Sequence, residues 1–267
     1  MIQAGVHVAV DLAFDCQGTG PPVVILHGLF GSKRNWSLIA RKLGQDFRVI
    51  TVDLRNHGES PWHASHDYVV MADDVAFLIE KEIGQSVSLI GHSMGGKVAM
   101  VLALTQPKFI EKLVVVDIPP ARSSSSQRGL IDAMQSVPLE RFRYRREVSQ
   151  YLAERIPDSV TRSFLMTNLI VHSERLAWAI NLESLSKNFE LIQGFPEQTP
   201  MSPFLHAALF LTGGNSDYVR TEHHHDIRRL FPAARFESIP DTGHWVHAEA
   251  PELFLHASRQ FLFQTNT

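Results

Sequence analysis

The chain has 267 residues, 44% hydrophobic and 20% charged, with a net charge of −3 when histidine is neutral. This is globular composition with enough chain for a sizeable core. The small charge excludes a global field that would gather nucleic acid, and no apolar run reaches the roughly 18 residues needed to cross a bilayer. Cys16 is the only cysteine, which excludes an internal disulfide framework and suits a reducing compartment. Met1 to Val6 lack the basic stretch and apolar core of a secretory signal, and the arginines of a transit peptide. The expected location is cytoplasmic, with the mitochondrial matrix as the alternative if a transit peptide is missing from this chain.

In chain order, Val6, Val8, Val10 and Leu12 alternate with other residues and predict an edge strand. Asp15 to Gly20 reads as a turn, and Val23-Val24-Ile25-Leu26 as a strand covered on both faces. It runs into the Gly-rich loop His27-Gly28-Leu29-Phe30-Gly31-Ser32. Asn35 to Gly44 predicts a helix burying Trp36, Ile39, Ala40 and Leu43. A strand follows at Phe47–Val52, then a charged loop in which Asp53, Arg55 and His57 are expected to brace the backbone. Met71, Val75, Leu78 and Ile79 mark the next helix, and Leu113–Val116 another buried strand. This strand–helix rhythm is that of a mostly parallel α/β sheet.

The rhythm breaks over Ala121–Phe195, where a serine run (Ser123–Ser126) and helical patterns such as Ser149–Arg155 and Ser159–Leu169 offer no convincing strand. It resumes at Ala207–Leu211, with a helix at Glu222–Leu230, a strand at Arg235–Ile239 and a closing helix at Pro251–Phe263 that turns Leu253, Phe254, Ala257 and Phe261 inward. The expected organisation is a core of residues 1–120 and 196–267 with a helical cap, 121–195, inserted over the mouth of the sheet. His223-His224-His225 reads as a solvated helix start: adjacent histidines on a helix diverge, and no carboxylate or cysteine pattern surrounds them.

Gly91-His92-Ser93-Met94-Gly95 fits G-x-S-x-G, between the apolar run Val87–Ile90 and a helix-like stretch from Lys97 to Leu104. In that context the serine sits on a sharp strand-to-helix turn, with its hydroxyl raised at the carboxyl end of the sheet. The loop after Leu26 can turn a second backbone N–H toward the same point, as acyl transfer requires. An acid and then His244 follow Ser93 in the order of a hydrolase triad. Spacing favours Asp217, after the strand ending near Leu211, over Asp117, at the end of the strand after the elbow; Glu183 is a weaker third candidate.

Taken together, His27–Ser32, Arg55-Asn56-His57-Gly58, Gly91–Lys97, Val116-Asp117-Ile118, Gly213–Ser216 and Gly243–Glu249 resemble the α/β-hydrolases over essentially the whole chain. They look most like the YbfF-type esterases and the animal α/β-hydrolase-domain-containing esterases. Thr167-Asn168-Leu169 and Ile180–Glu183 lean toward the animal branch. The resemblance implies the α/β-hydrolase fold and a hydrolase of esters or thioesters. Ser93 would be the nucleophile, His244 the base, and the N–H groups of Leu29 and Met94 the oxyanion hole. It also implies Asp117 as the acid, and no metal or organic cofactor. The implied partner is a small ester or thioester substrate, acyl-CoA among the candidates, with no nucleic acid and no membrane span. Arg141, Arg143, Arg145 and Arg146 either hold its phosphates or form a solvated basic face. Phe164, Leu165, Met166 and Trp178 either line an acyl pocket or pack as ordinary core. Lactone or amide hydrolysis on the same residues, and a non-catalytic binding protein of the same fold, are the rival readings.

Overall fold

In the computed structural model, residues 9–123, 127–196 and 199–264 are described. Seven strands form the main sheet: β1 (Phe14–Gln17), β2 (Pro22–Leu26), β3 (Arg48–Val52), β4 (Val87–His92), β5 (Ile110–Val116), β8 (Ala208–Gly213) and β9 (Ala234–Ile239), in the order β1-β3-β2-β4-β5-β8-β9. All neighbours are parallel except β1 with β3. β6 (Leu169–His172) and β7 (Arg175–Trp178) make a separate antiparallel hairpin.

The central strands read as unbroken apolar runs because each feeds two cores. Val24, Leu26, Leu89, Leu113, Val115 and Phe210 face one side, and Val23, Ile25, Ile90, Val114, Val116 and Leu209 the other. Helices α1 (Ser37–Leu43) and, near the carboxyl terminus, α11 (Pro251–Phe263) pack on the second core. On the first lie α2 (Tyr68–Leu78), which continues as a π-helical turn to Ile83, and α3 (Met94–Thr105). Between β5 and β8 come α4 (Gln127–Gln135), α5 (Arg145–Ala153), α6 (Ser159–Leu165), the β6–β7 hairpin, α7 (Leu182–Lys187) and α8 (Phe189–Gln193). Helices α9 (His223–Leu230) and α10 (Val246–Glu249) flank β9. No helix among the described residues is long and apolar enough to cross a membrane.

Four expectations are corrected. Among the described residues the edge strand is Phe14–Gln17, Val10 and Leu12 precede it outside any strand, and Val6 and Val8 lie outside the described residues. Its polar Asp15 and Gln17 resembled a turn, but an edge strand open to water tolerates them once it pairs with Thr51 and Val49. The segment after β5 does contain strands, because Leu169–His172 and Arg175–Trp178 are joined by Ser173 and Glu174 at φ 47 and 65, a tight turn made without glycine. The helical pattern from Ser159 accordingly gives way to β6 at Leu169. Leu253 is 50% exposed, since α11 buries the stripe Phe254, Ala257, Ser258, Phe261 and Leu262. Ser124–Ser126 of the serine run lie outside the described residues.

The segment after β5 leaves and returns at adjacent points: Ser123 N–H donates to the Gln193 carbonyl (2.8 Å). Lys97, buried on α3, donates to the carbonyls of Gln193 (2.8 Å) and Gly194 (2.7 Å), and the Tyr68 hydroxyl to that of Ile192 (2.5 Å). The carbonyls that end α8 thus find partners in the core. Burial pushes the Lys97 ammonium down to about 7.

Two glycines let α3 approach β4 and the carboxyl end of β2. A Cβ on Gly91 would sit 2.3 Å from the Gly95 carbonyl oxygen, and one on Gly95 would sit 2.5 Å from that of His27. Because both obstacles are backbone, Gly95→Ala is expected to destabilise the protein by about 3 kcal/mol or more. Gly129→Ala, on α4 with open space around the new methyl, is expected to stabilise it by roughly 0.5–1 kcal/mol. Urea unfolding of the pair would check the contrast; equal effects would disprove it.

Candidate active site

Ser93 stands between β4 and α3 with φ 51 and ψ −118, a backbone state that side chains avoid and that a packed elbow enforces. Its amide is held by the Val116 carbonyl (3.0 Å), and the Asp117 amide by that of Leu211 (2.9 Å). Ser93 and Asp117 therefore emerge side by side, one residue beyond the paired His92 and Val116 of adjacent strands.

His244, on the loop between β9 and α10, bridges the two. Its Nδ1 lies 2.7 Å from Asp117 Oδ2 and its Nε2 3.0 Å from Ser93 Oγ. An ionised carboxylate only accepts, so Nδ1 carries the proton and Nε2 presents a lone pair to the serine hydroxyl. Asp117 is fully buried and also accepts from Gly213 N–H (3.2 Å) and the Ser216 hydroxyl. Asp217 is exposed and lies outside this chain of hydrogen bonds. Glu183 pairs instead with Lys187 at the surface.

The imidazole is held from both sides. Tyr218 stacks on it at 3.8 Å and 12°. His92 Nε2–H donates to the His244 carbonyl (2.9 Å), and burial keeps His92 neutral by pushing its pKa well down. His247, likewise lowered by burial, to about 3, stacks on Trp36 at 4.0 Å beneath this loop. The motif placed His92 one position from the serine, but spacing gave no sign of its bond to a residue 152 positions away. Ser216 and Tyr218 flank the acid that spacing favoured.

Two backbone amides, those of Met94 and Leu29, belong to segments that adjoin Ser93. Met94 opens α3, so its N–H is among the four that a helix leaves unpaired. Leu29 follows Gly28, where a Cβ would lie 3.2 Å from Ser93 Cβ. The loop is closed by Gly31 N–H donating to the Gly28 carbonyl (2.9 Å), with Phe30 at φ 63. His27 anchors its start through bonds to the Gly28 carbonyl and the Leu54 amide. Asp53 braces the neighbouring loop by accepting from the Lys33 and Glu59 amides, and Arg55 forms a buried bidentate pair with Asp74 at 2.6 and 2.7 Å.

Ser93 and His244 face a cavity of about 660 Å³ walled by Leu130, Ile156, Phe164, Leu165 and Trp245. Of the four residues read either as acyl-pocket lining or as ordinary core, Phe164 and Leu165 line this cavity, while Met166 and Trp178 are not on its wall. Nor are Arg141, Arg143, Arg145 and Arg146. Arg145 donates to the carbonyls of Met166 (2.5 Å) and Leu169, and Arg146 lies over the Tyr144 ring. Arg155, which the sequence did not single out, lines the cavity. No group of three or more histidine, cysteine or acidic side chains among the described residues is placed to hold a metal ion.

This arrangement has counterparts in known proteins. A family described as alpha/beta hydrolase fold matches residues 21–251. The sn-1-specific diacylglycerol lipase ABHD11 of Mus musculus is 40% identical over 256 residues, covering 93% of this chain and 83% of that protein. Esterase YbfF of Escherichia coli is 34% identical over 247 residues, covering 92% and 94%. A solved marine microorganism esterase superposes with a TM-score of 0.92 at 35% identity, covering 95% of this chain and all of that one. A serine at a strained strand-to-helix turn, bonded to a histidine brought from the far end of the same parallel sheet, therefore sits in a chain that belongs to the α/β-hydrolase fold family.

Proposed function

We propose that the protein is a serine hydrolase of carboxylic esters, with Ser93 as nucleophile, His244 as general base and Asp117 as the acid. The observation that carries this reading is the continuous chain Ser93 Oγ–His244–Asp117 opening into an apolar cavity. As Ser93 Oγ attacks the ester carbonyl, its proton passes to His244 Nε2. The carbonyl oxygen takes up the negative charge between the amides of Met94 and Leu29. Collapse expels the alcohol, which leaves with the proton from His244; water repeats the sequence and frees the acid. Asp117 stabilises the imidazolium without taking its proton. Residues 121–195 act as a cap, supplying Phe164 and Leu165 to the acyl wall.

The esterase and lipase names of the relatives support oxygen esters, and that of the mouse protein adds acylglycerols as a candidate class. Thioesters, acyl-CoA included, are the finer alternative. Arg155 is then the arginine placed to meet a charged leaving group at the cavity.

The test presents one acyl chain both as a p-nitrophenyl ester and as its CoA thioester. Wild type is expected to cleave the oxygen ester, and Ser93→Ala to lose activity by roughly 10⁴-fold or more on either. The ratio of kcat/KM for the two leaving groups assigns the preference. Equal rates for wild type and Ser93→Ala would refute the reading.

A further inference from the structure

Phe30 occupies the third position of the turn Gly28–Gly31, at φ 63. A turn with positive φ there normally carries glycine, and a side chain in the left-handed region is strained. The turn holds Leu29, whose amide the proposed hydrolysis needs at a fixed place. Its support comes from the cap. Asn168 Nδ2 donates to the Phe30 carbonyl at 2.8 Å and to the Leu165 carbonyl at 3.3 Å. Asn168 is 4% exposed, and facing two carbonyls its amide must present its NH₂ group.

Asn168 is itself tightly held. Arg145 donates to the Met166 and Leu169 carbonyls on either side, and the Asn168 carbonyl accepts from Ala179 N–H (2.8 Å) beyond β7. An arginine-braced hairpin thus delivers one amide to the strained turn beside Ser93. We infer that Asn168 is a positioning residue, through which the docked cap holds the Leu29 amide in register for the oxyanion. The inference rests on the hydrolase reading above. It gives the cap a part in the chemical step as well as in enclosing the acyl chain.

The test compares Asn168→Ala and Asn168→Ser with wild type on p-nitrophenyl butyrate, with Ser93→Ala as control. Active sites are titrated so that kcat refers to folded enzyme. The readout specific to positioning is phenylboronic acid. Its boron bonds to Ser93 Oγ, the serine proton passes to His244, and a boron-bound oxygen takes the oxyanion's place. Both variants are expected to lose roughly 10- to 100-fold in kcat, with KM within about threefold of wild type and boronate affinity falling in parallel with kcat. Butyrate, which makes no tetrahedral adduct, should bind unchanged. A purely structural asparagine would lower the melting temperature and leave kcat per active site and boronate affinity at wild-type values; that result overturns the inference. Activity surviving in Ser93→Ala would overturn the hydrolase reading instead.

Discussion

Asp117→Asn is expected to lower kcat by roughly 10³- to 10⁴-fold with little change in KM, whereas Asp217→Asn should stay within about twofold of wild type. The first substitution keeps the shape of the side chain and alters what it offers. An asparagine NH₂ turned to His244 Nδ1 would draw the ring proton to Nε2, the atom that must accept from Ser93. The Gly213 amide, which donates to Asp117 Oδ1, would keep an asparagine oxygen on its side and turn the NH₂ group to the place of Oδ2, where it meets His244 and the Ser216 hydroxyl. Asp217, exposed and outside that network, has no such task. Steady-state kinetics of the two variants, with circular dichroism to confirm folding, would decide. Collapse of Asp217→Asn with Asp117→Asn active would exchange the roles.

Acidification is expected to destabilise the fold steeply between about pH 6.5 and 4. Five buried histidines are held neutral by desolvation: His27 is pushed down to about 4, His57 and His247 to about 3, and His66 and His92 well below the ordinary value. Below about pH 6.5 the unfolded chain binds protons at these positions and the folded chain does not. Stability therefore falls as pH falls, each histidine contributing up to about 1.4 kcal/mol per pH unit until its folded value is reached. Buried Asp53 and Asp74, whose pKa values are raised by desolvation, act in the opposite sense above about pH 3.8 but number only two against five. Lys97, lowered to about 7, adds a gain in stability as pH rises from there toward its unfolded value. Urea midpoints from pH 8 to 4.5 would trace the curve; a flat profile between pH 7 and 5 would contradict it.

Much of this was legible in the sequence because the strands that matter are buried on both faces. Val23–Leu26, Val87–Ile90 and Leu113–Val116 announce themselves as apolar runs, and Gly91 and Gly95 bracket Ser93 for a reason that backbone contact makes plain. The acid was ambiguous because spacing counts residues and takes no account of direction. Asp117 and Asp217 both follow strands, and only the turn at Asp117, with φ 52, shows which carboxylate meets the imidazole. The β6–β7 hairpin was hidden by short strands and a turn lacking glycine or asparagine. Arg145 read as one of a basic run because its carbonyl partners, Met166 and Leu169, lie more than twenty positions on. Asn168 stood out only by resemblance; its partner, Phe30, is 138 residues away.

The 2.8 Å bond from Ser123 N–H to the Gln193 carbonyl bears on how such chains diverge. A segment whose ends already touch adds little closure entropy to the sheet, and lengthening it costs only logarithmically. The proposed cap is therefore expected to be exchangeable, and chimeras joined at residues 123 and 193 with a relative's segment are expected to fold on this core. A graft that changes the acyl wall would alter which substrates enter. One that also lacks an amide at the position of Asn168 is expected to inherit the triad and lose speed.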